Sequence, residues 1–112
     1  HIAKSIVFEG EDGAVVVITS GSNRVDRKRK IKRILGFKPG MANPEYVLRS
    51  TGYAIGGVPP FGHTSPTTIL MDEDLMQYDL VWGAGGTPQT VFPITPEQLR
   101  VLSGAPVEDV KQ

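Results

Sequence analysis

The feature that most constrains the fold is an uninterrupted apolar run at residues 14–19, Ala-Val-Val-Val-Ile-Thr. Its β-branched residues favour a strand, and the lack of polar alternation indicates that both faces of this strand are covered. The acidic, glycine-containing segment before it, residues 9–13, is typical of a hairpin turn, so residues 5–8 are predicted to form the neighbouring strand. We therefore expect a sheet whose central strand lies at residues 14–19.

Capping residues predict three helices in the rest of the chain. Each helix is followed by a glycine, and Thr95 and Gln98 form a capping-box pattern at the start of the last one. The predicted helices lie at 25–35, 43–52 and 95–104, and the further extended segments at 53–55, 67–71, 80–82, 90–93 and 107–110. Because the strands and helices do not alternate regularly, the predicted fold class is α+β. About six or seven strands would form a mixed, largely antiparallel sheet or a partly closed barrel with flanking helices.

Composition removes several classes of function. The chain has 112 residues, a length that fits one domain, and no cysteine, which excludes disulfides and thiolate catalysis. No window is apolar enough for a membrane span, and there is no signal segment, so the sequence is compatible with a cytoplasmic protein. The two histidines are far apart and no carboxylates lie near them, so we expect no metal site.

The charge is zero overall but unevenly placed. Seven of the twelve basic residues lie between Arg24 and Arg33, interrupted only by Asp26. Such a segment suggests contact with a polyanion, although a solvated helix face would have the same composition.

Two glycine-rich loops are candidate binding elements. Residues 51–63 combine Gly56-Gly57 with Pro59-Pro60, which gives open backbone beside a stiff frame, although a tight turn would use the same residues. The second loop, residues 83–87, precedes a strand, so it lacks the helix dipole of a phosphate-binding loop. Lys4, at the edge of an apolar strand, would suit anion or oxyanion stabilisation if it faced a cleft between these loops; otherwise it is a solvated strand end. The usual nucleophile, nucleotide-phosphate, dinucleotide and zinc-protease motifs are absent.

The segments at residues 2–8, 50–53 and 56–63 resemble the YbaK/ProX-type aminoacyl-tRNA deacylases, whose fold also occurs as the editing insertion of bacterial prolyl-tRNA synthetase. The glycine loop at 84–86 and the helix start at 95–99 resemble the same family. The likeness spans nearly the whole chain. Family members carry a helix and an extended segment before the lysine strand, so residues 1–112 are predicted to be one editing domain without that N-terminal segment.

The resemblance implies a trans-acting hydrolase that cleaves the ester of mischarged tRNA carrying a small amino acid such as Cys, Ala, Ser or Thr. Lys4 would be the essential lysine, Gly56 would open the substrate-binding GxxxP loop, and no cofactor or metal would be needed. The implied partners are tRNA and an aminoacyl-tRNA synthetase, and a non-catalytic tRNA-binding module of the same fold is the alternative. The further implied substrate-binding residues are Thr51, Gly52, Tyr53, Gly57, Val58, Pro60, His63, Gly85 and Gly86, and the implied tRNA-backbone contacts are Arg27, Lys28, Lys30 and Lys32.

The family's reaction needs no protein nucleophile, because an aminoacyl ester is already activated and the neighbouring ribose hydroxyl can position water. On this hypothesis Lys4 orients the 3′ end or balances its charge, and backbone N–H groups around Gly56-Gly57 contact the aminoacyl carbonyl. Gly85 and Gly86 would shape the opposite wall of the pocket. His63 could contact the ammonium group of the amino acid or a water molecule, or it could be a surface turn residue.

Overall fold

The computed structural model describes all 112 residues and contains seven strands and three α-helices. The strands are β1 (Ala3–Glu9), β2 (Ala14–Ser20), β3 (Gly40–Met41), β4 (Thr68–Asp72), β5 (Val81–Ala84), β6 (Val91–Ile94) and β7 (Val107–Glu108). The α-helices are α1 (Lys32–Leu35), α2 (Pro44–Thr51) and α3 (Pro96–Ser103); a π-helical turn, Arg27–Ile31, precedes α1, and a 3-10 turn, Glu73–Gln77, follows β4. The predicted α+β class is confirmed.

Five strands form the main sheet, in the order β3-β1-β2-β4-β7. The pairs β1–β2 and β1–β3 are antiparallel, whereas β2–β4 and β4–β7 are parallel. Strands β5 and β6 form a separate antiparallel hairpin. The sheet is therefore mixed, as predicted, and it does not close into a barrel.

Strand β2 is the centre of the core, as the apolar run predicted. All seven of its residues are buried. Ile18 packs in one cluster with Met71 and Leu99, whereas Val17 packs in another with Phe8 and Ile31. Because successive side chains of a strand point to opposite faces, these clusters lie on the two faces of the sheet.

The caps of α2 and α3 agree with the sequence prediction. Asn43 accepts a hydrogen bond from the Tyr46 N–H, and Thr95 and Gln98 form the capping box. The glycines after both helices, Gly52 and Gly104, have positive φ angles of 85° and 66°. These left-handed positions end the helices at little steric cost.

The basic helix begins later than predicted. Residue 25 is not helical, because Val25 forms an isolated antiparallel bridge with Lys111 near the end of the chain. Asp26 caps the helical segment by accepting a hydrogen bond from the Arg29 N–H at 3.1 Å. The first turn is a π-helix, and the α-helical part is limited to Lys32–Leu35, ending at Gly36 with φ of 84°.

Candidate active site

The outer edge of β1 is paired at both ends and open between them. At its start, Ile2 forms a parallel bridge with Trp82, whose N–H donates to the His1 carbonyl at 2.8 Å. At its end, Phe8 pairs with Met41 of β3. A cavity of about 570 Å³ lies along the open edge between these two contacts. The size is that of a small-molecule site.

Most of the cavity lining is apolar. It comes from β1, β3, α2, both glycine-rich loops and the β5–β6 hairpin. The lining residues are Ile2, Ala3, Lys4, Ser5, Ile6, Val7, Phe8, Met41, Ala42, Val47, Ile55, Gly56, Val58, Trp82, Ala84, Pro88, Thr90 and Val91. Three residues predicted for the site, Lys4, Gly56 and Val58, are therefore brought to one cavity.

Lys4 is the only charged residue in this lining. It lies within β1 opposite Thr19, is exposed, and is absent from the five ion pairs of the chain. No hydrogen bond occupies its ammonium group within the chain. The cavity thus offers one unneutralised positive charge beside an apolar surface, an arrangement that can attract an anionic or partially negative group.

The first glycine-rich loop contains a tight turn at Ala54–Gly57. The Gly57 N–H donates to the Ala54 carbonyl at 2.9 Å, and Gly56 has a φ angle of 86°. The prediction that residues 53–55 are extended is wrong, because this turn begins where a strand would have continued. The Gly57 N–H is also unavailable to a ligand, whereas the N–H groups of Gly56 and Val58 make no hydrogen bond within the chain.

The two glycine-rich loops pack directly against each other. A Cβ atom at Gly57 would lie 2.8 Å from the Thr87 Cα, and one at Gly56 would lie 3.7 Å from the Pro88 ring. A Cβ atom at Gly86 would contact the Tyr53 ring at 3.4 Å. Gly57 and Gly86 thus lie where the loops meet and not on the cavity wall, and close approach explains the need for glycine at residue 57.

His63 is engaged within its own loop. One ring nitrogen lies 2.8 Å from the Pro59 carbonyl oxygen, and the other lies 2.8 Å from the Thr67 hydroxyl. His63 does not line the cavity. Of the two roles that the sequence left open, the geometry favours the turn residue, since both polar atoms of the ring already have partners.

The other predicted substrate-binding residues do not line the cavity. Thr51 is buried, its hydroxyl donates to the Val47 carbonyl at 2.7 Å, and its own carbonyl accepts from the Thr64 N–H at 3.0 Å. The Tyr53 hydroxyl is 3.4 Å from the Gly62 carbonyl oxygen. These contacts join the two ends of the loop. Gly52, Pro60 and Gly85 are likewise outside the lining: they pack on Thr64, Gly83 and Thr90 respectively.

The predicted tRNA-backbone residues divide into two pairs. Arg27 donates to the Pro39 carbonyl at 2.8 Å, and Lys30 forms an ion pair with Asp109 at 2.7 Å. Lys28 and Lys32 are exposed and make no ion pair. Their ammonium groups can therefore reach a partner without breaking an internal contact.

Two lysines hold the C-terminal residues against the fold. A hydrogen bond from Lys30 lowers the pKa of Asp109, and a hydrogen bond from Lys111 lowers the pKa of Asp74. The same contact with Asp74 raises the pKa of Lys111. No group of three or more histidine or acidic side chains is arranged to hold a metal ion, and no helix is long and apolar enough to cross a membrane.

Sequence reasoning missed the part of the lining that comes from the hairpin and from β1 beyond Lys4. Trp82, the only tryptophan in the chain, is 37% exposed and lines the cavity. Ser5 and Ile55 line it too. A single tryptophan in a predicted short strand was an available signal, but nothing in the sequence placed β5 beside the start of β1.

The open strand edge, the unpaired lysine and the apolar cavity give this small α+β domain a candidate ligand site. The chain matches the family model described as the aminoacyl-tRNA editing domain over residues 1–102. It belongs to this family.

Two individual proteins and one solved structure are similar to the chain. The chain is 36% identical over 104 residues to the uncharacterized protein YwhH of Bacillus subtilis (strain 168), covering 92% of this chain and 66% of that protein. It is 42% identical over 76 residues to a proline–tRNA ligase of Thermosipho melanesiensis (strain DSM 12029 / CIP 104789 / BI429), covering 67% of this chain and 13% of the ligase. The crystal structure of a candidate trans-editing enzyme for prolyl-tRNA synthetase has a TM-score of 0.93 at 50% identity, covering 99% of this chain and 70% of that one. The chain thus spans about two thirds of the first relative and a small part of the ligase.

Proposed function

We propose that this chain is a trans-acting deacylase that hydrolyses the ester bond of mischarged aminoacyl-tRNA. The observation that carries the proposal is the placement of Lys4 and Gly56 in one cavity, where Lys4 is the only charged residue. The family supports an editing role, and the relatives named for prolyl-tRNA synthetase support a proline tRNA as the substrate.

The cavity size supports a substrate larger than an amino acid alone. Its volume of about 570 Å³ is within the range of pockets that bury a whole drug-sized ligand. Its apolar wall, with Trp82 and Ile55 partly exposed, suits the flat face of a nucleobase. The terminal adenosine and its attached amino acid would enter together.

In the proposed reaction, a water molecule attacks the ester carbonyl carbon, and the bond from that carbon to the ribose oxygen breaks. The ribose oxygen takes one proton of the water, the other is released to solvent, and the free amino acid leaves as a carboxylate. No histidine or acidic residue lines the cavity, so the neighbouring ribose hydroxyl would position the water. The chain contributes binding and charge stabilisation.

Lys4 and two backbone donors have separate roles in this proposal. The Lys4 ammonium group balances the charge of the nearest phosphate or of the developing oxyanion. The N–H groups of Gly56 and Val58, which donate to nothing else in the chain, are the candidates for binding the aminoacyl carbonyl. The Gly57 N–H, which the sequence had also suggested for this role, cannot take it because it already donates to the Ala54 carbonyl.

The amino acid removed would be small. Candidates are Cys, Ala, Ser and Thr, which differ by single groups, and one methylene changes binding by only about 1–3 kcal/mol. Of the two exposed members of the predicted set, Lys28 would contact the tRNA backbone.

The test is deacylation of a panel of misacylated proline tRNAs by wild type, Lys4→Ala and a matched control, Lys38→Ala. Lys38 is also exposed and unpaired but lies outside the cavity. We expect wild type and Lys38→Ala to release the amino acid and Lys4→Ala to be slower by at least about 100-fold, the usual cost of removing one charge-stabilising group.

Two results would contradict the proposal. Full activity of Lys4→Ala would remove the lysine from the reaction. Inactivity of wild type on every ester, combined with retained tRNA binding, would favour the non-catalytic module.

A further inference from the structure

A second groove continues from the cavity on the side of the basic segment. Its volume is about 540 Å³, and it shares Lys4, Ile6, Phe8 and Met41 with the cavity. Lys4 and Phe8 are four residues apart on β1, so their side chains lie on the same face of the sheet, where Phe8 packs with Ile31 of the basic segment. Because Lys4 lines both the cavity and the groove, it lies where the two meet.

The far wall of the groove is formed by residues 23–28 and Gln112. Backbone hydrogen bonds fix this wall to the C-terminal residues. The Gln112 N–H donates to the Arg24 carbonyl at 2.8 Å, and the Asp26 N–H donates to the Val110 carbonyl at 2.7 Å. Because Val110 is fully buried, these hydrogen bonds connect the backbone of the wall to the core and hold it in place.

The groove carries an excess of positive charge. Its single acidic residue, Asp26, already accepts from the Arg29 N–H and pairs with the Arg29 guanidinium at 3.5 Å. Arg24 and Lys28 are exposed, and their side chains have no acceptor in the chain. Arg24, Lys28 and Lys4 are the basic lining residues of the groove whose side chains make no hydrogen bond or ion pair in the chain, since Arg27 donates to the Pro39 carbonyl.

We propose that this groove binds the sugar-phosphate backbone of the single-stranded nucleotides next to the terminal adenosine, with Arg24 and Lys28 contacting phosphates. The inference deepens the proposed function, since it assigns a path to the polynucleotide whose acylated end enters the cavity. Single-strand grooves of this kind combine basic side chains along the backbone with apolar surface for the bases. Met41, which is 69% exposed, and the half-buried Ile6 supply that surface.

The proposal separates basic residues that the sequence could not separate. Lys32 and Arg33 belong to the same basic segment and are also exposed, but they do not line the groove. If the whole segment attracted RNA only by its net charge, all of these residues would contribute equally to RNA affinity. If RNA lies in a defined groove, Arg24 and Lys28 contribute more to the affinity than Lys32 and Arg33.

The experiment compares two double variants with the same loss of charge, Arg24→Ala/Lys28→Ala in the groove and Lys32→Ala/Arg33→Ala outside it. Each is assayed on full-length misacylated tRNA and on the aminoacyl ester of adenosine alone, which has no phosphate chain. We expect the groove variant to raise KM for the tRNA at least about tenfold and to leave KM for the adenosine ester unchanged. We expect the control variant to change KM for either substrate by less than about twofold.

Salt dependence gives a second readout. For single strands, each phosphate contact contributes about 0.7 to the slope of log affinity against log salt. The groove variant should therefore lower the slope for the tRNA by about 1.4, whereas the control leaves it near the wild-type value. If both variants weakened tRNA binding and lowered the salt slope equally, a diffuse basic patch would replace the groove and the proposal would be overturned. If the groove variant raised KM for the adenosine ester as much as for the tRNA, the substitutions would act on the cavity instead, which would also overturn it.

Binding of a single-stranded RNA that ends in adenosine and carries no amino acid separates this inference from the proposed function. If wild type hydrolyses no ester, the proposed function fails, but fluorescence anisotropy still measures RNA affinity. Weaker binding by the groove variant and not by the control would support the groove. Identical affinities in all three proteins would refute it.

Discussion

Gly57 and Thr87 lie so close together that a Cβ atom on Gly57 would be 2.8 Å from both the Cα and the carbonyl carbon of Thr87. Real Cβ atoms do not approach backbone atoms so closely, so a side chain at residue 57 would push the two glycine-rich loops apart. Gly56 and Pro88, their neighbours, both line the cavity. The loop contact therefore determines the width of the candidate site.

We predict that Gly57→Ala impairs the site by moving these loops apart. A matched control is Gly62→Ala, where φ is 80° and a Cβ atom would meet nothing within 4 Å. The control should lower stability by about 1 kcal/mol from backbone strain alone and keep most of the deacylase activity. Gly57→Ala should lower kcat/KM by more than tenfold, as measured on misacylated tRNA. Similar activity of the two variants would show that the loop contact does not shape the site.

We predict that His63→Ala destabilises the first loop. The substitution removes two hydrogen bonds, to Pro59 and Thr67, each worth about 1 kcal/mol net. Urea unfolding should show a loss of about 2 kcal/mol, and Thr67→Val, which removes one of these bonds, about 1 kcal/mol. If His63→Ala is as stable as wild type but loses kcat, the ring acts on substrate and the structural role is wrong.

The Asp74–Lys111 ion pair predicts a pH dependence of stability. The pKa of Asp74 is lowered from 3.8, chiefly by the hydrogen bond from Lys111, so the ionised carboxyl stabilises the folded state above that value. This stabilisation is lost as pH falls through the lower folded pKa. The pKa of Lys111 is raised from 10.5, chiefly by the same contact, so its contribution is present below that value and is lost as pH rises through the higher folded pKa.

Lys111→Met should consequently destabilise the protein more at pH 7 than at pH 2, because the stabilisation from ionised Asp74 declines as pH falls through its lowered folded pKa. Urea midpoints at the two pH values measure the difference. Arg100→Met, which breaks the exposed Glu97–Arg100 pair, is the control and should change the midpoint less at pH 7. An equal loss at pH 7 and pH 2 would mean that Lys111 contributes by packing and not by charge.

We predict that Trp82 reports on ligand binding. It is the only tryptophan, so the intrinsic fluorescence of the protein comes mainly from the cavity wall. Stacking of a base against the ring should quench this emission, and Trp82→Ala should weaken adenosine binding by about 1–3 kcal/mol. Titration with adenosine, followed by fluorescence for wild type and by calorimetry for both proteins, provides the measurement. Unchanged emission together with equal affinities would place the base elsewhere.

Local sequence patterns predicted those elements whose cause is local. The apolar run predicted β2, and the capping residues predicted α2 and α3, because strand burial and helix capping depend on neighbouring residues. The start of the basic helix was predicted too early, since the bridge from Val25 to Lys111 involves residues far apart in the chain. Likewise, residues 53–55 were predicted to be extended because the Ala54–Gly57 turn begins before the glycines that marked the loop.

The candidate site was predicted only in part for the same reason. Lys4 and Gly56 could be selected from motifs, and their roles in hydrolysis stay predictions. The sequence could not show that the Gly57 N–H is occupied, that both nitrogens of His63 have partners, or that Arg27 and Lys30 are held by internal contacts. Each depends on a neighbour that only the folded chain brings close.

The sequence by itself determined an α+β chain with a buried central strand, capped helices and a concentrated basic segment, because these follow from local periodicity, capping and charge. The tertiary structure decided which side chains share the cavity, which glycines are needed for close packing, and which cations remain free. Those properties arise from contacts between β1, the two loops and the C-terminal residues, which lie far apart in the chain and meet only when the core forms.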